Sequence, residues 1–395
     1  MRKLIRYELL KIIRNRHFFL VSFVILLTEI VLSVPDFATF GIARSGNAIL
    51  NERYRLYFCL SETERSDFIR EMENKYGADV FQSLVPAAGS MDYPGYFGEE
   101  YSDADIIMVL ASIQWRQNEI ENARGTVLEK AERYLRTAQQ EGDRYRIRNL
   151  SRMIRIYGSE ISAIGYKVVG WDYLIERIEA LIPMLFFCLY IGGQVYSLEK
   201  DIHADLLLST SFFGGSATSA AKLVSVVMLS LLSVVLCNLA TFTVIWLGYG
   251  MSGGMNPVQV LDGWTLSPLN MRVWELCLLK IGAEMVFCAV SVVFYAAISR
   301  VSRKTWQAYI AGSLITVCML AGYYLFADQI QHADLLSCID LSRFLATYDT
   351  VNILNRPVFR VFIHWIIWIA AAFLTAVSCV WDSKSKGRNH QGKRL

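Results

Sequence analysis

Charge is scarce in this sequence. Only 19% of its 395 residues are Asp, Glu, Lys or Arg, against 54% hydrophobic residues and a mean hydropathy of +0.33. That balance excludes an ordinary soluble globular domain. The formal net charge of +3 is too small for the basic footprint of a nucleic-acid binder. The common nucleotide and catalytic signatures are missing as well. No G-x-x-x-x-G-K-S/T occurs, so the chain carries no Walker-type ATPase of its own, and H-E-x-x-H and G-x-S-x-G are absent. His17, His203, His332, His364 and His390 are scattered, with no pair at metal-ligand spacing. The expectation is a chain that is no enzyme and holds no metal, cofactor or nucleic acid.

Eight cysteines do not make a disulfide framework here. Cys188, Cys237, Cys277, Cys288, Cys318 and Cys379 lie inside apolar runs, where cysteine acts as a small hydrophobe. Cys59 and Cys338 fall in polar segments and either pair across two external loops or stay as two surface thiols.

What the chain has is long apolar runs. Residues 1–17 place Arg2, Lys3, Arg6, Lys11, Arg14 and Arg16 opposite Leu4, Ile5, Leu9, Ile12 and Ile13, a pattern suited to a helix lying in a headgroup layer. A first span is expected over 18–34, ended by Pro35-Asp36. A signal peptide is the competing reading, but no Ala-x-Ala pattern follows. Further spans are expected at about 178–196, 223–249, 273–299, 306–327 and 359–381, each near the ~20 residues a bilayer requires. Lys200, Lys222, Arg300, Arg303, Lys304 and the basic tail from Lys384 to Arg394 fall on one side of this plan. Only Arg272 stands in the short loop at 250–272 on the other. The positive-inside rule therefore puts both termini and the loop at 197–222 in the cytoplasm.

The polar stretch 35–177 then lies outside. From Asp36 to Arg177 it holds 18 Lys and Arg against 22 Asp and Glu, a net of −4. Ile106, Leu110, Ile113, Gln117, Ile120, Arg124, Val127, Ala131, Tyr134 and Ala138 repeat at fours and threes. A Glu141-Gly142-Asp143 turn follows, and a second periodic run extends to Val168. This predicts an antiparallel helical hairpin over 103–168, weakened on its seam by Gln117 and Arg124. The competing form is a compact bundle with no long projection. The loop around Met251–Pro268 reads as a short interfacial or re-entrant element, and Asp328–Arg356 as a short amphipathic helix. The fold expected is an all-α integral membrane protein: six transmembrane helices, with a mainly helical extracytoplasmic domain inserted between the first and second.

Polar groups inside the spans mark candidate sites, since a charge at mid-bilayer costs about 3 kcal/mol on insertion scales. They are Glu29, the i,i+4 pair Lys280 and Glu284, and His364 beside Trp365 and Trp368. They line a translocation path, or Lys280 and Glu284 satisfy each other and Glu29 bonds to a neighbouring helix.

Several features together resemble one family. They are Tyr7-Glu8-Leu9-x-Lys11 leading into the first span, a large external insert, and a cytoplasmic segment with Glu199, Lys200, Asp201, Asp205, Leu206, Leu207 and Leu208, then Ser209-Thr210 and Lys222. The plan is similar to that of type-2 ABC exporter permeases with a soluble domain between their first two spans. Ser211-Phe212 stands where that family usually has a proline. The resemblance implies a coupling helix over 199–211 that docks into a separate ATPase subunit, with Arg2 to Arg16 lying along the membrane beside it. It also implies two ATPase copies, ATP and Mg on those partners, and a second permease copy or a relative in the bacterial cell membrane. Two other functions fit the same residues. One is an ATPase-driven interaction protein acting through its external hairpin; the other is an intramembrane enzyme using Glu29, Lys280, Glu284 or His364.

Overall fold

The computed structural model describes residues 1–34, 103–161, 170–177, 181–203, 215–325 and 335–391 apart from 337 and 338, with isolated positions between 67 and 74. It is mostly helical, at 79%. In chain order the helices are α1 (Arg2–Ile13), α2 (Arg16–Leu32), α3 (Asp103–Glu141), α4 (Arg144–Tyr157), α5 (Gly170–Glu176), α6 (Leu181–Gln194), α7 (Ser197–Asp201), α8 (Ser216–Tyr249), α9 (Val273–Val301), α10 (Thr305–Leu325), α11 (Leu341–Leu345) and α12 (Arg360–Gln391). Two short strands, β1 (Thr350–Ile353) and β2 (Arg356–Phe359), separate α11 from α12.

The amphipathic start and the first apolar run do form two helices, bent by 73° at their junction. The bend has a local cause. Asn15 leaves the helix in an extended conformation, and its side chain caps α2 by accepting the His17 N–H at 3.1 Å. Helix α1 turns its buried Glu8 and Ile12 toward the start of α8, where the Ser225 hydroxyl donates to the Ile5 carbonyl at 3.2 Å.

Among the described residues four helices are long and apolar enough to cross a membrane, α8, α9, α10 and the Arg360–Trp381 part of α12, and the bent pair α1–α2 makes a fifth if it counts as one span. The four match the expected spans at 223–249, 273–299, 306–327 and 359–381. Helices α2 and α6 occupy the other two positions but have 17 and 14 residues. The described part of α6, Leu181–Gln194, is the buried centre of the bundle, with Leu181, Met184, Leu185, Cys188 and Ile191 all at 1% exposure or less. A helix apolar on every side packs this way. Small residues let its neighbours approach. A Cβ on Gly192 would sit 2.8 Å from Tyr295 Cβ and 3.0 Å from the Val292 carbonyl of α9, and one on Gly312 of α10 would meet the Leu189 side chain. Long apolar faces stay exposed on α2, α8, α10 and α12, including Phe23, Leu239, Leu314 and Phe373.

Successive apolar helices run in opposite directions between two ends. Residues near 15, 197, 219, 300 and 379 meet at what we term the N-terminal end. At the opposite, hairpin end, α3 and α4 form the expected hairpin around Gly142 (φ +70°), with Asp143 capping α4 by accepting the Tyr145 and Arg146 N–H groups at 3.0 Å. Ile120, Ala131, Ala138 and Tyr157 form its buried seam. The second arm stops at Gly158, well short of Val168; residues 162–169 lie outside the described residues.

One expectation is corrected at this end. Asp328–Arg356 is not one amphipathic helix. Its described part has only five helical residues in α11, followed by an antiparallel β-hairpin pairing Thr350 with Phe359 and Ile353 with Arg356. Leu354 (φ +49°) and Asn355 (φ +61°) make the two-residue left-handed turn that suits twisted strands, and Asn352 Oδ1 accepts the Asn355 N–H at 2.9 Å. The 250–272 loop is packed against the bundle. It makes a short 3-10 turn at Val258–Val260, buries Trp264 to 1% exposure, and closes on itself through Val258 N–H to Met271 O and Val273 N–H to Asn256 O, both 3.0 Å.

Candidate functional site

At the N-terminal end the Glu-Lys-Asp run of α7 sends three side chains to three places. Glu199, 4% exposed, accepts Lys11 of α1 on one carboxylate oxygen and Lys222 of α8 on the other. Glu8 adds its charge 3.6 Å from the Lys11 ammonium, so two carboxylates alternate with two ammonium groups in a largely buried network. Buried charges persist when paired in this way. Lys200 donates to the Arg300 and Ser302 carbonyls, the latter at 2.7 Å, and so caps the C-terminus of α9. Asp201 accepts the Thr305 N–H at 3.0 Å at the N-terminus of α10. That bonding from Thr305 holds the Asp201 carboxyl below its ordinary value. Each charge sits at the helix end whose dipole favours it. The segment is seated by the Tyr196 and Ser197 N–H groups, which donate to Ser299 Oγ at 3.1 and 3.0 Å. Asp205, Leu206, Leu207 and Leu208 lie outside the described residues.

A second polar centre lies inside the bundle. The Thr241 hydroxyl of α8 donates to Glu29 Oε1 of α2 at 2.8 Å, and Ser33 Oγ stands 3.0 Å from Thr241 Oγ1. One turn away, Asn238 Nδ2 donates to Glu284 Oε2 of α9 at 2.6 Å. The Lys280 and Glu284 charged groups are 3.7 Å apart, so the pair is real. The hydrogen bonds of Lys280, though, go to the Leu174 and Arg177 carbonyls at 2.7 and 2.9 Å, where it caps the end of α5. The structure thus brings Glu29, Lys280 and Glu284 to one polar seam along α8. His364 stands in aromatic surroundings, with ring centroids 5.6 Å from Phe344 and 6.4 Å from Trp368. Asn238 and Thr241 were missed by sequence reasoning; two polar residues three apart within an otherwise apolar run were the signal that could have found them.

The hairpin is fastened at its root. Arg124 does not weaken the seam as expected. Its guanidinium donates to the Ile156, Tyr157 and Ser159 carbonyls at 2.8–3.1 Å and closes the C-terminus of α4. Burial pushes the neighbouring Tyr157 hydroxyl up to about 12, and it donates to the Leu266 carbonyl at 2.6 Å. Arg148 and Arg152 donate to the Asn355 and Pro357 carbonyls of the β-hairpin at 3.1 and 2.8 Å, and Asn149 Oδ1 accepts the Tyr348 and Thr350 hydroxyls at 3.0 Å. A partly open cavity of about 410 Å³, lined by Gln117, Glu121, Arg124 and Tyr157, lies between the arms.

Among the described residues no group of three or more His, Cys, Asp or Glu is placed to hold a metal, and Cys188, Cys237, Cys277, Cys288, Cys318 and Cys379 are free thiols. Cys59 and Cys338 lie outside the described residues. Comparison with known protein families, curated proteins and solved structures finds no match for this chain.

Proposed function

We propose that this chain is the permease subunit of an ATP-driven ABC exporter in the bacterial cell membrane. It spans the bilayer six times with both termini in the cytoplasm, and couples hydrolysis on two separate ATPase subunits to efflux or membrane extraction of a substrate. It works as a dimer, with a second copy or a related permease. The observation that carries this reading is Glu199, which ties the interfacial helix α1 and the head of α8 to the segment expected to dock the ATPase. A push on that segment reaches α1, α8, α9 and α10 through Lys11, Lys222, Lys200 and Asp201. The test is co-purification of the full chain with an ATPase whose hydrolysis it stimulates. Leu207→Asp should abolish that association at least tenfold; unchanged binding would remove the docking assignment.

A second reading has its own observation. The bonds from Arg148, Arg152 and Tyr157 fasten the hairpin to the segments entering α12 and α9. Helix movement would then swing the external hairpin without passage of cargo. The backbone partners of Lys280 speak against an intramembrane enzyme built on Lys280 and Glu284.

A further inference from the structure

We propose that Glu29 is a proton-binding site inside the bundle, its carboxyl carrying a proton on Oε2 taken up from bulk water. Glu29 is 0% exposed, and one of its oxygens is already occupied by the Thr241 hydroxyl. The other, Oε2, is buried and has no hydrogen-bond partner. An ionised carboxylate with a buried, unbonded oxygen is costly, whereas a protonated one is neutral. The charged and titratable groups that act on Glu29 are Glu284 and Lys280 of α9 and Arg177 past the end of α5, while the Cys237 thiol faces it from α8. Lys280 is engaged with Glu284 and two carbonyls, and Glu284 with Lys280 and Asn238, while Arg177 acts on Glu29 as a charge without a hydrogen bond to Oε2.

A metal cation fits the same place poorly. Hard cations take about six or more oxygen ligands, and the oxygens gathered around Glu29 are the Thr241 and Ser33 hydroxyls, with an ammonium on the adjoining helix. A proton needs only the carboxyl. Protonation turns Glu29 into a neutral acid that packs between α2 and α8; its loss leaves a charge at that contact. The neutral form is the one that fits, so the stabilising contribution is complete at low pH and falls as pH rises.

The site is defined without reference to transport or to any partner, so its test needs only the full chain in lipid nanodiscs. Infrared spectra titrated with pH should show the C=O stretch of a buried protonated carboxyl at neutral pH. Glu29→Gln should remove that band, and Thr241→Val should shift it to higher frequency by taking away the donor on Oε1. The melting temperature of wild type should fall as pH rises from the ordinary carboxylate range toward neutral, and that of Glu29→Gln should fall less. Absence of the band in wild type overturns the proposal, as does a band that survives Glu29→Gln. If Glu29→Gln does not fold, a band left unmoved by Thr241→Val overturns it equally.

Discussion

A recurrent device at the residue scale is a cation from one helix finishing the end of another. Arg124 closes α4, Lys280 closes α5, and Lys200 closes α9. Terminal carbonyls have no intrahelical donor, and in an apolar bundle no water substitutes for one. Lys280 carries the extra duty of facing Glu284, which fixes what its removal should do. Lys280→Ala leaves Glu284 buried with Asn238 alone, and breaking a buried pair from one side costs about 3–5 kcal/mol. Adding Glu284→Leu removes the stranded charge and should recover a substantial part of that loss. Thermal unfolding of the purified variants checks this; a double variant no more stable than the single one would contradict the pairing. The i,i+4 spacing alone places Lys280 and Glu284 on one face. Its acceptors could not be read the same way, because a carbonyl oxygen carries no residue identity. Arg124 was misread for the same reason: a charge on a heptad seam looks unsatisfied until the neighbouring helix is seen to end there.

Among the elements, α7 has only five residues yet decides how the N-terminal end is assembled. Glu199→Gln would remove the charge between Lys11 and Lys222 and leave two ammonium groups facing a neutral amide. We expect α1 to come away from α8 and to loosen the backbone at Arg14 and Arg16, whose side chains are already exposed, with tryptic cleavage there faster by roughly tenfold, the equivalent of about 1.4 kcal/mol. Adding Lys222→Met to Glu199→Gln removes one of the two stranded ammonium groups and should return cleavage part of the way toward the wild-type rate. Equal cleavage of all three proteins would show that α1 is held by apolar contacts alone. The long apolar helices were legible because hydrophobic runs report burial or lipid directly, and the hairpin of α3 and α4 because its heptads flank a Gly turn. The β-hairpin was not. Its turn places Leu354 in a left-handed conformation, where Asn or Gly would have announced it, and β2 contains Pro357. The 73° bend between α1 and α2 was equally silent, since it depends on one capping asparagine.

Across the whole molecule, the feature that distinguishes this bundle is a helical hairpin bonded to the very segments that lead into two of its long apolar helices, α9 and α12. Helix α4 lies on the β-hairpin that enters α12, and Tyr157 and Arg116 reach the packed loop that enters α9. Most of these bonds run from side chains to backbone carbonyls, so they hold position without demanding a particular partner residue. Arg152 also lies over the Phe359 ring at 5.0 Å, which shields its bond to Pro357. Replacing Arg148 and Arg152 together by Ala removes two charge-assisted bonds at a partly exposed contact, a loss on the order of 2–3 kcal/mol. Amide exchange in residues 144–157 and 350–359 should then rise by roughly thirtyfold or more, while α6, α8 and α9 keep their protection. If exchange rises across the bundle as well, the hairpin supports the bundle rather than riding on it. If it rises nowhere, the contact is held by Asn149 and the apolar seam. The expected pattern, a hairpin loosened over an intact bundle, bears on the two proposed readings by uncoupling the hairpin from the helices. That variant separates export from force transmission, because only the second requires the hairpin to follow the helices.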